Sequence, residues 1–216
     1  MTTLTLAVSR QLIPEPLAHI DAYELKVKQG PYFYREVHRS ASSALTDRAF
    51  IMSTLIAGGH VAKRARSFLT RAADFDLSTI PSVPLQRCND EQCEAIAAGI
   101  REVAAWDGFG TSTASKLLHV VRPHTVPVLD RESIGGAYLC ADWAPGIRRW
   151  NAVGGAQLTD VLGTFASDLK FRANRPAWRL LEEDTEGHYT RLQLLDMVWW
   201  SHYKGLHRRG QPRPYA

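Results

Sequence analysis

The chain has 216 residues, of which 45% are hydrophobic and 22% charged, enough apolar material to bury a core in one large domain or two small lobes. It has no apolar run of the roughly 18 residues that a membrane-spanning helix needs, and residues 1–16 lack the charged-then-apolar-then-small layout of a secretory leader. A cytoplasmic protein is therefore expected, with no membrane partner.

Three cysteines, Cys88, Cys93 and Cys140, cannot all pair, which argues against a disulfide framework. The spacing of Cys88 and Cys93 does not fit a zinc hook, the histidines form no ligand set, and the four clustered cysteines of an iron–sulfur centre are absent. The formal net charge is +4. That excess sits in residues 201–216, where Lys204, Arg208, Arg209 and Arg213 face no acidic residue and the remaining charges balance. Such a tail either touches phosphate or is a solvated end.

Residues 14–31 are punctuated by Pro14, Pro16, Gly30 and Pro31 and read as irregular. The aromatic run Tyr32-Phe33-Tyr34 reads as core packing rather than a base-stacking platform. A first strong helix starts at Thr46, an N-cap followed by Asp47, and is expected to end at Gly58-Gly59. A second covers about residues 61–69, with Lys63, Arg64 and Arg66 on its outer faces. Pro81 and Pro84 mark a loop. Asn89 or Asp90 then caps a helix whose apolar stripe is Ile96, Ile100 and Val103, and which is expected to stop at Asp107-Gly108. Residues 111–121 form another helix, with Ala114, Leu117, Leu118 and Val121 inward. Helices over residues 158–171 and 191–203 follow. No alternating run is long enough for a strand, so the class is all-α.

The informative stretch joins two of these helices through Gly108-Phe109-Gly110-Thr111-Ser112-Thr113. Glycines allow a tight hairpin, with Gly110 the position expected at positive φ, and let a phosphate approach the main chain. The N–H groups that open the second helix are unsatisfied and carry partial positive charge. Such a hairpin would grip a nucleic-acid backbone without reading sequence. After that helix the chain turns at Pro123 and Pro127 and presents Asp130 behind the apolar run Val128-Leu129.

Gly108-Phe109-Gly110, then Thr113-Ala114, then Val128-Leu129-Asp130 resembles the helix-hairpin-helix DNA glycosylases related to endonuclease III. The 22-residue separation from Gly108 to Asp130 is similar to that family's. The resemblance covers about residues 46–140, and the chain also resembles a poorly described group of actinobacterial proteins with the same hairpin. It implies a single two-lobed helical unit, with residues 46–140 as the core lobe carrying the hairpin and residues 1–45 with 141–216 as the second. It further implies a nucleoid-associated monomer on double-stranded DNA, with Gly108, Phe109, Gly110, Thr111, Ser112, Thr113 and Lys116 against the backbone and Asp130 as the catalytic carboxylate. A monovalent cation at the hairpin is the one cofactor it leaves open.

The sequence departs from that family in places. Strand-cutting relatives carry a nucleophilic lysine where this chain has Ser112. Lys116, one turn on, is either a substitute or a solvated, phosphate-facing lysine. Glu132 is a second candidate acid beside Asp130. His60, after Gly58-Gly59, falls where relatives place a loop that fills the gap left by a flipped base, and is otherwise a surface residue behind a helix cap. Trp199, Trp200 and Asp196 on the last helix are candidates for a base pocket, although adjacent tryptophans cannot share one face.

The expected function is excision of a damaged or modified base, leaving an abasic site. Oxidised, alkylated, deaminated, mispaired and hypermodified phage bases are all served by this fold, so repair and antiphage defence both stay open. The alternatives are a non-catalytic DNA-binding module, for which an acid facing a polyanion has no use, and a nuclease or accessory subunit, for which no metal-binding carboxylate cluster can be assembled. If the tail touches phosphate, truncation after Gly205 removes Arg208, Arg209 and Arg213 and lowers the log–log salt slope of DNA affinity by about 0.9 per lost contact. An unchanged slope would make it a solvated end.

Overall fold

The computed structural model describes residues 2–6, 11–27, 29–38, 44–56, 61–129 and 155–204. Among them are nine α-helices and one two-stranded sheet. The helices are α1 (Pro16–Lys26), α2 (Gly30–His38), α3 (Asp47–Thr54), α4 (Val61–Arg71), α5 (Asp90–Ala104), α6 (Thr111–Val121), α7 (Gly155–Lys170), α8 (Arg175–Asp184) and α9 (Arg191–Lys204). Short 3-10 turns occupy Leu77–Thr79, Leu85–Arg87 and Arg172–Asn174.

The sheet corrects the strand-free expectation. Strands β1 (Thr3–Leu6) and β2 (Gln11–Pro14) pair antiparallel, with Leu4 opposite Ile13. Both of those side chains are fully buried while Leu12 points outward, the period-two alternation of a half-buried ribbon. Asn174 clips the ribbon to the helices, accepting from Thr5 N–H and donating to Thr5 C=O, both at 2.8 Å.

The stretch expected to be irregular holds α1 and α2. Pro16 and Pro31 open these helices rather than break them, because a first-turn residue has no intrahelical use for its N–H. Phe33 and Tyr34 are buried and Tyr32 is exposed. Gly30 allows close packing, since a Cβ there would overlap the Tyr23 hydroxyl.

The caps lie where local chemistry puts them. Thr46 Oγ1 accepts from Ala49 N–H at 3.2 Å, and Asn89 and Gln92 form a reciprocal capping box on α5. Helix α3 is complete by Thr54, and Gly58-Gly59 lies outside the described residues. Helix α5 ends at Ala104, short of Asp107-Gly108, and residues 105–110 form the turn into α6. Helix α8, which is not among the expected helices although Ala177, Trp178 and Leu181 recur at helical spacing, follows the 3-10 turn at Arg172–Asn174.

Helix α6 is the centre of the molecule. Helices α2, α3 and α5 pack on it, and every residue from Thr113 to Val121 is buried. Around that axis α7 packs on α5 and α1 packs on α9. The buried apolar residues, from Leu4 to Trp199, form one contiguous core cluster.

A buried helix must satisfy its polar side chains internally. His119 does so on both ring nitrogens. Nδ1 lies 2.6 Å from Val126 C=O, which makes it the protonated nitrogen, and Nε2 then accepts from Gln193 Nε2 at 3.0 Å. Burial pushes this imidazole down to about 4. The unfolded chain, with a histidine near 6.5, therefore binds more protons between these values. His119 thus contributes stability that is complete above about pH 6.5 and is lost as pH falls toward 4, on the order of 3 kcal/mol in all. In chemical denaturation at pH 7 and pH 4, His119→Gln is expected to lose that much less stability on acidification than the native chain. Equal losses would assign the acid sensitivity to other groups.

Candidate functional site

The turn from α5 to α6 is tight and held from outside. Phe109 N–H donates to Trp106 C=O at 2.9 Å, and the two rings meet edge to face. Gly108 carries the positive φ, +80°, whereas Gly110 is extended at φ 170°, ψ 170°. The expectation of a left-handed Gly110 is thus corrected: the turn reverses at the first glycine, and the second is the N-cap of α6. Gly110 supplies no side-chain cap to α6, so no N-cap side chain takes up its first N–H groups, beside half-buried Thr111 and Ser112.

Helix α4 buttresses this turn. Arg64 is buried, not on an outer face as its sequence context implied, and its Nε donates to Gly108 C=O at 2.9 Å. Lys63 pairs with Asp107 at 2.8 Å on the surface. A Cβ at Gly108 would lie 3.2–3.4 Å from the Lys63 and Arg64 stems.

One turn inside α6, Lys116 is only 9% exposed. The solvated alternative for this lysine is corrected. Its side chain runs back toward the helix N-terminus, as helical side chains do, and Nζ donates to Ser112 Oγ at 3.1 Å. Lys116 also lines an open cavity of about 510 Å³ with Asp196 and Trp200 of α9, Tyr23 of α1, Tyr34 of α2 and Val128. Asp196 is 5% exposed and accepts from the Tyr34 hydroxyl. Trp199, by contrast, is fully enclosed in the core and is not a wall of this cavity, because the next residue on a helix points about 100° away.

Val128 is two residues before Asp130 in the chain. The segment that leads there is fixed to α6. Ser115 Oγ accepts from Leu129 N–H at 3.0 Å, and His119 holds Val126. Asp130, Glu132 and His60 lie outside the described residues. Thr113 is buried on α6.

Tyr23 is a cavity residue that the sequence did not single out, and Tyr34, expected only as core packing, is buried and also lines the cavity. Their one signal was a hydroxyl on an otherwise apolar face, which needs a buried partner. Asp196, alone among Leu194, Leu195, Met197 and Val198, was the clearer signal.

Among the described residues no group of three or more His, Cys, Asp or Glu could hold a metal ion, and no helix is long and apolar enough to cross a membrane. Cys88 and Cys93 are free thiols, and burial pushes Cys88 up to about 11. Comparison with family models, curated proteins and solved structures gave no match.

The turn geometry separates the two glycines. Gly108→Ala places a Cβ in a left-handed, crowded position and is expected to cost about 1–3 kcal/mol in chemical denaturation. Gly110→Ser, at an extended N-cap, is expected to stay within a few tenths of a kcal/mol of the native chain. The reverse order would place the strained position at Gly110.

Proposed function

We propose that the chain is a DNA glycosylase that grips duplex DNA through the α5–α6 turn, read as a helix-hairpin-helix motif, and excises an extruded base with Asp130 as the catalytic carboxylate. The observation that carries this reading is the layout of α6. An uncapped N-terminus behind Gly108-Phe109-Gly110 stands at its open end. Lys116 on the same helix lines a cavity whose wall continues to Val128, two residues before Asp130 in the chain.

The chemistry follows from these parts. Backbone phosphate would accept from the N–H groups of Thr111, Ser112 and Thr113, with the helix dipole behind them. An extruded nucleotide would place its base in the cavity. Cleavage of the N-glycosidic bond puts positive charge on the sugar, and the Asp130 carboxylate would stabilise that charge and orient a water. The water oxygen bonds to C1′, and the base leaves with the glycosidic electron pair and takes a proton. The product is an abasic site, in repair or in defence against phage DNA with modified bases.

Ser112 cannot form a Schiff base, which favours a monofunctional enzyme. Lys116 Nζ, 3.1 Å from Ser112 Oγ, supports a second reading in which Lys116, after losing a proton, bonds to C1′ as the base leaves with the glycosidic electron pair and takes a proton, and β-elimination from the resulting Schiff base cuts the strand. A DNA-binding protein without catalysis is the third.

One experiment separates all three. Purified protein is incubated with duplexes bearing individual lesions and with modified phage DNA, and base release is followed by mass spectrometry, with half of each sample heated in alkali. The expected result is base release with strand cuts only after alkali, and a loss of at least a hundred- to a thousandfold in Asp130→Asn with DNA binding retained. Glu132→Gln dead beside an active Asp130→Asn would move the acid to Glu132. Borohydride trapping that disappears in Lys116→Ala would make Lys116 the nucleophile. Binding with no release from any substrate would leave the non-catalytic reading.

A further inference from the structure

The cavity beside α6 has a polar lining of definite character. Among the described residues around it, the ammonium groups of Lys116 and Lys26 and the amide of Gln29 share the lining with one carboxylate, Asp196. Lys116 and Asp196 sit inside, while Lys26 and Gln29 are exposed residues. Both inner groups are anchored, Lys116 on Ser112 Oγ and Asp196 on the Tyr34 hydroxyl. Aromatic walls complete the site: Tyr23 meets Trp200 edge to face at 5.5 Å and lies roughly parallel to Tyr34 at 6.4 Å. A volume of about 510 Å³ is in the range of small-molecule sites.

Half-buried Trp200, with Tyr23 and Tyr34 buried behind it, is the ring available to stack on a flat heteroaromatic ring, and Lys116 and Asp196 then read its edge. An ammonium only donates and a carboxylate only accepts. We propose that the cavity recognises nucleobases with a lactam edge, Lys116 donating to the ring carbonyl and Asp196 accepting from the neighbouring ring N–H. This rests on the glycosylase reading for the source of the base.

The lactam edge sorts the lesion classes. Deamination converts the amidine edge of cytosine or adenine into a lactam, and oxidation of a purine at C8 creates a new one across N7 and C8. Alkylation at a ring nitrogen creates no new lactam, so an alkylated purine offers this pair no edge that the undamaged base lacks. An amidine edge also offers one donor and one acceptor, but its amine N–H is less acidic than a lactam N–H and gives the carboxylate a weaker bond. It also brings no carbonyl for the surplus donors Lys26 and Gln29. Thymine and guanine share the lactam edge, but correct pairing holds them in the stack, whereas damaged or mispaired bases are extruded more readily. The substrate class is therefore deaminated or oxidised bases.

The test uses the full chain and two assays. In calorimetry with free bases, uracil and hypoxanthine are expected to bind at least tenfold tighter than cytosine and adenine, which lack the lactam edge. That binding should fall about ten- to a hundredfold in Asp196→Asn and in Lys116→Gln, the loss of one charge-assisted hydrogen bond. Lys116→Gln keeps a donor of similar reach and decides the matter if Asp196→Asn does not fold. In the second assay, duplexes carrying deoxyuridine, deoxyinosine, 8-oxo-deoxyguanosine or 7-methyldeoxyguanosine are scored for base release, and the first three are expected to react. No preference for uracil and hypoxanthine, or one that both variants retain, overturns the lactam reading. Release of 7-methylguanine alone overturns it too, while leaving a glycosylase. Lactam-selective binding without release from any duplex overturns the glycosylase and leaves the recognition standing.

Discussion

Everything in this molecule is arranged around a helix that has almost no solvent face. From Thr113 to Val121 helix α6 is buried, although Thr113, Ser115, Lys116 and His119 are polar. Burying such groups is tolerable only if each finds a partner, and the partners identified for Ser115 and His119 tie α6 to the elements around it. Ser115 and His119 hold the 126–129 segment, His119 reaches Gln193 of α9, and Lys116 folds back on Ser112. The polar groups of one helix thus set the positions of its neighbours, while its apolar residues supply the packing.

That arrangement gives the candidate site its rigidity. The open end of α6 is anchored by Arg64 on the Gly108 carbonyl and by the Trp106–Phe109 contact. The cavity on its flank is walled by helices that pack on α6 or on one another. The turn and Lys116 of the cavity lining belong to one buried helix and so have little freedom to move independently, which would suit the proposed reaction, where a phosphate and a base are held at a fixed separation.

Features of the fold written in adjacent residues were legible in the sequence. Thr46 and Asn89 announced helix starts because capping is chemistry over three or four residues, and the glycines around Phe109 announced a turn. Two kinds of feature were not legible. Strands of four residues, as in β1 and β2, are too short for alternation to stand out, and Pro16 and Pro31 were read as breakers although proline also opens helices. The other kind is partnership at a distance. Arg64 and Gly108 are 44 positions apart, and Tyr34 and Asp196 are 162 apart. Nothing local distinguishes an arginine that turns inward to a carbonyl from one that faces water. For Lys116 as well, spacing gave its position on the helix but not its burial.

The pairing of α1 with α9 has a consequence for how the molecule comes together. Contacts between residues so far apart in the chain close large loops, and such closures are made late. During synthesis α6, with Lys116 and Ser112, emerges well before Asp196 and Trp200, so α1 waits for α9 with the face that α9 covers left open. The cavity is therefore a late product of assembly, completed only when the last described helix docks. Until then α1 leaves that face uncovered, the kind of transient apolar exposure that makes unfinished chains prone to aggregate.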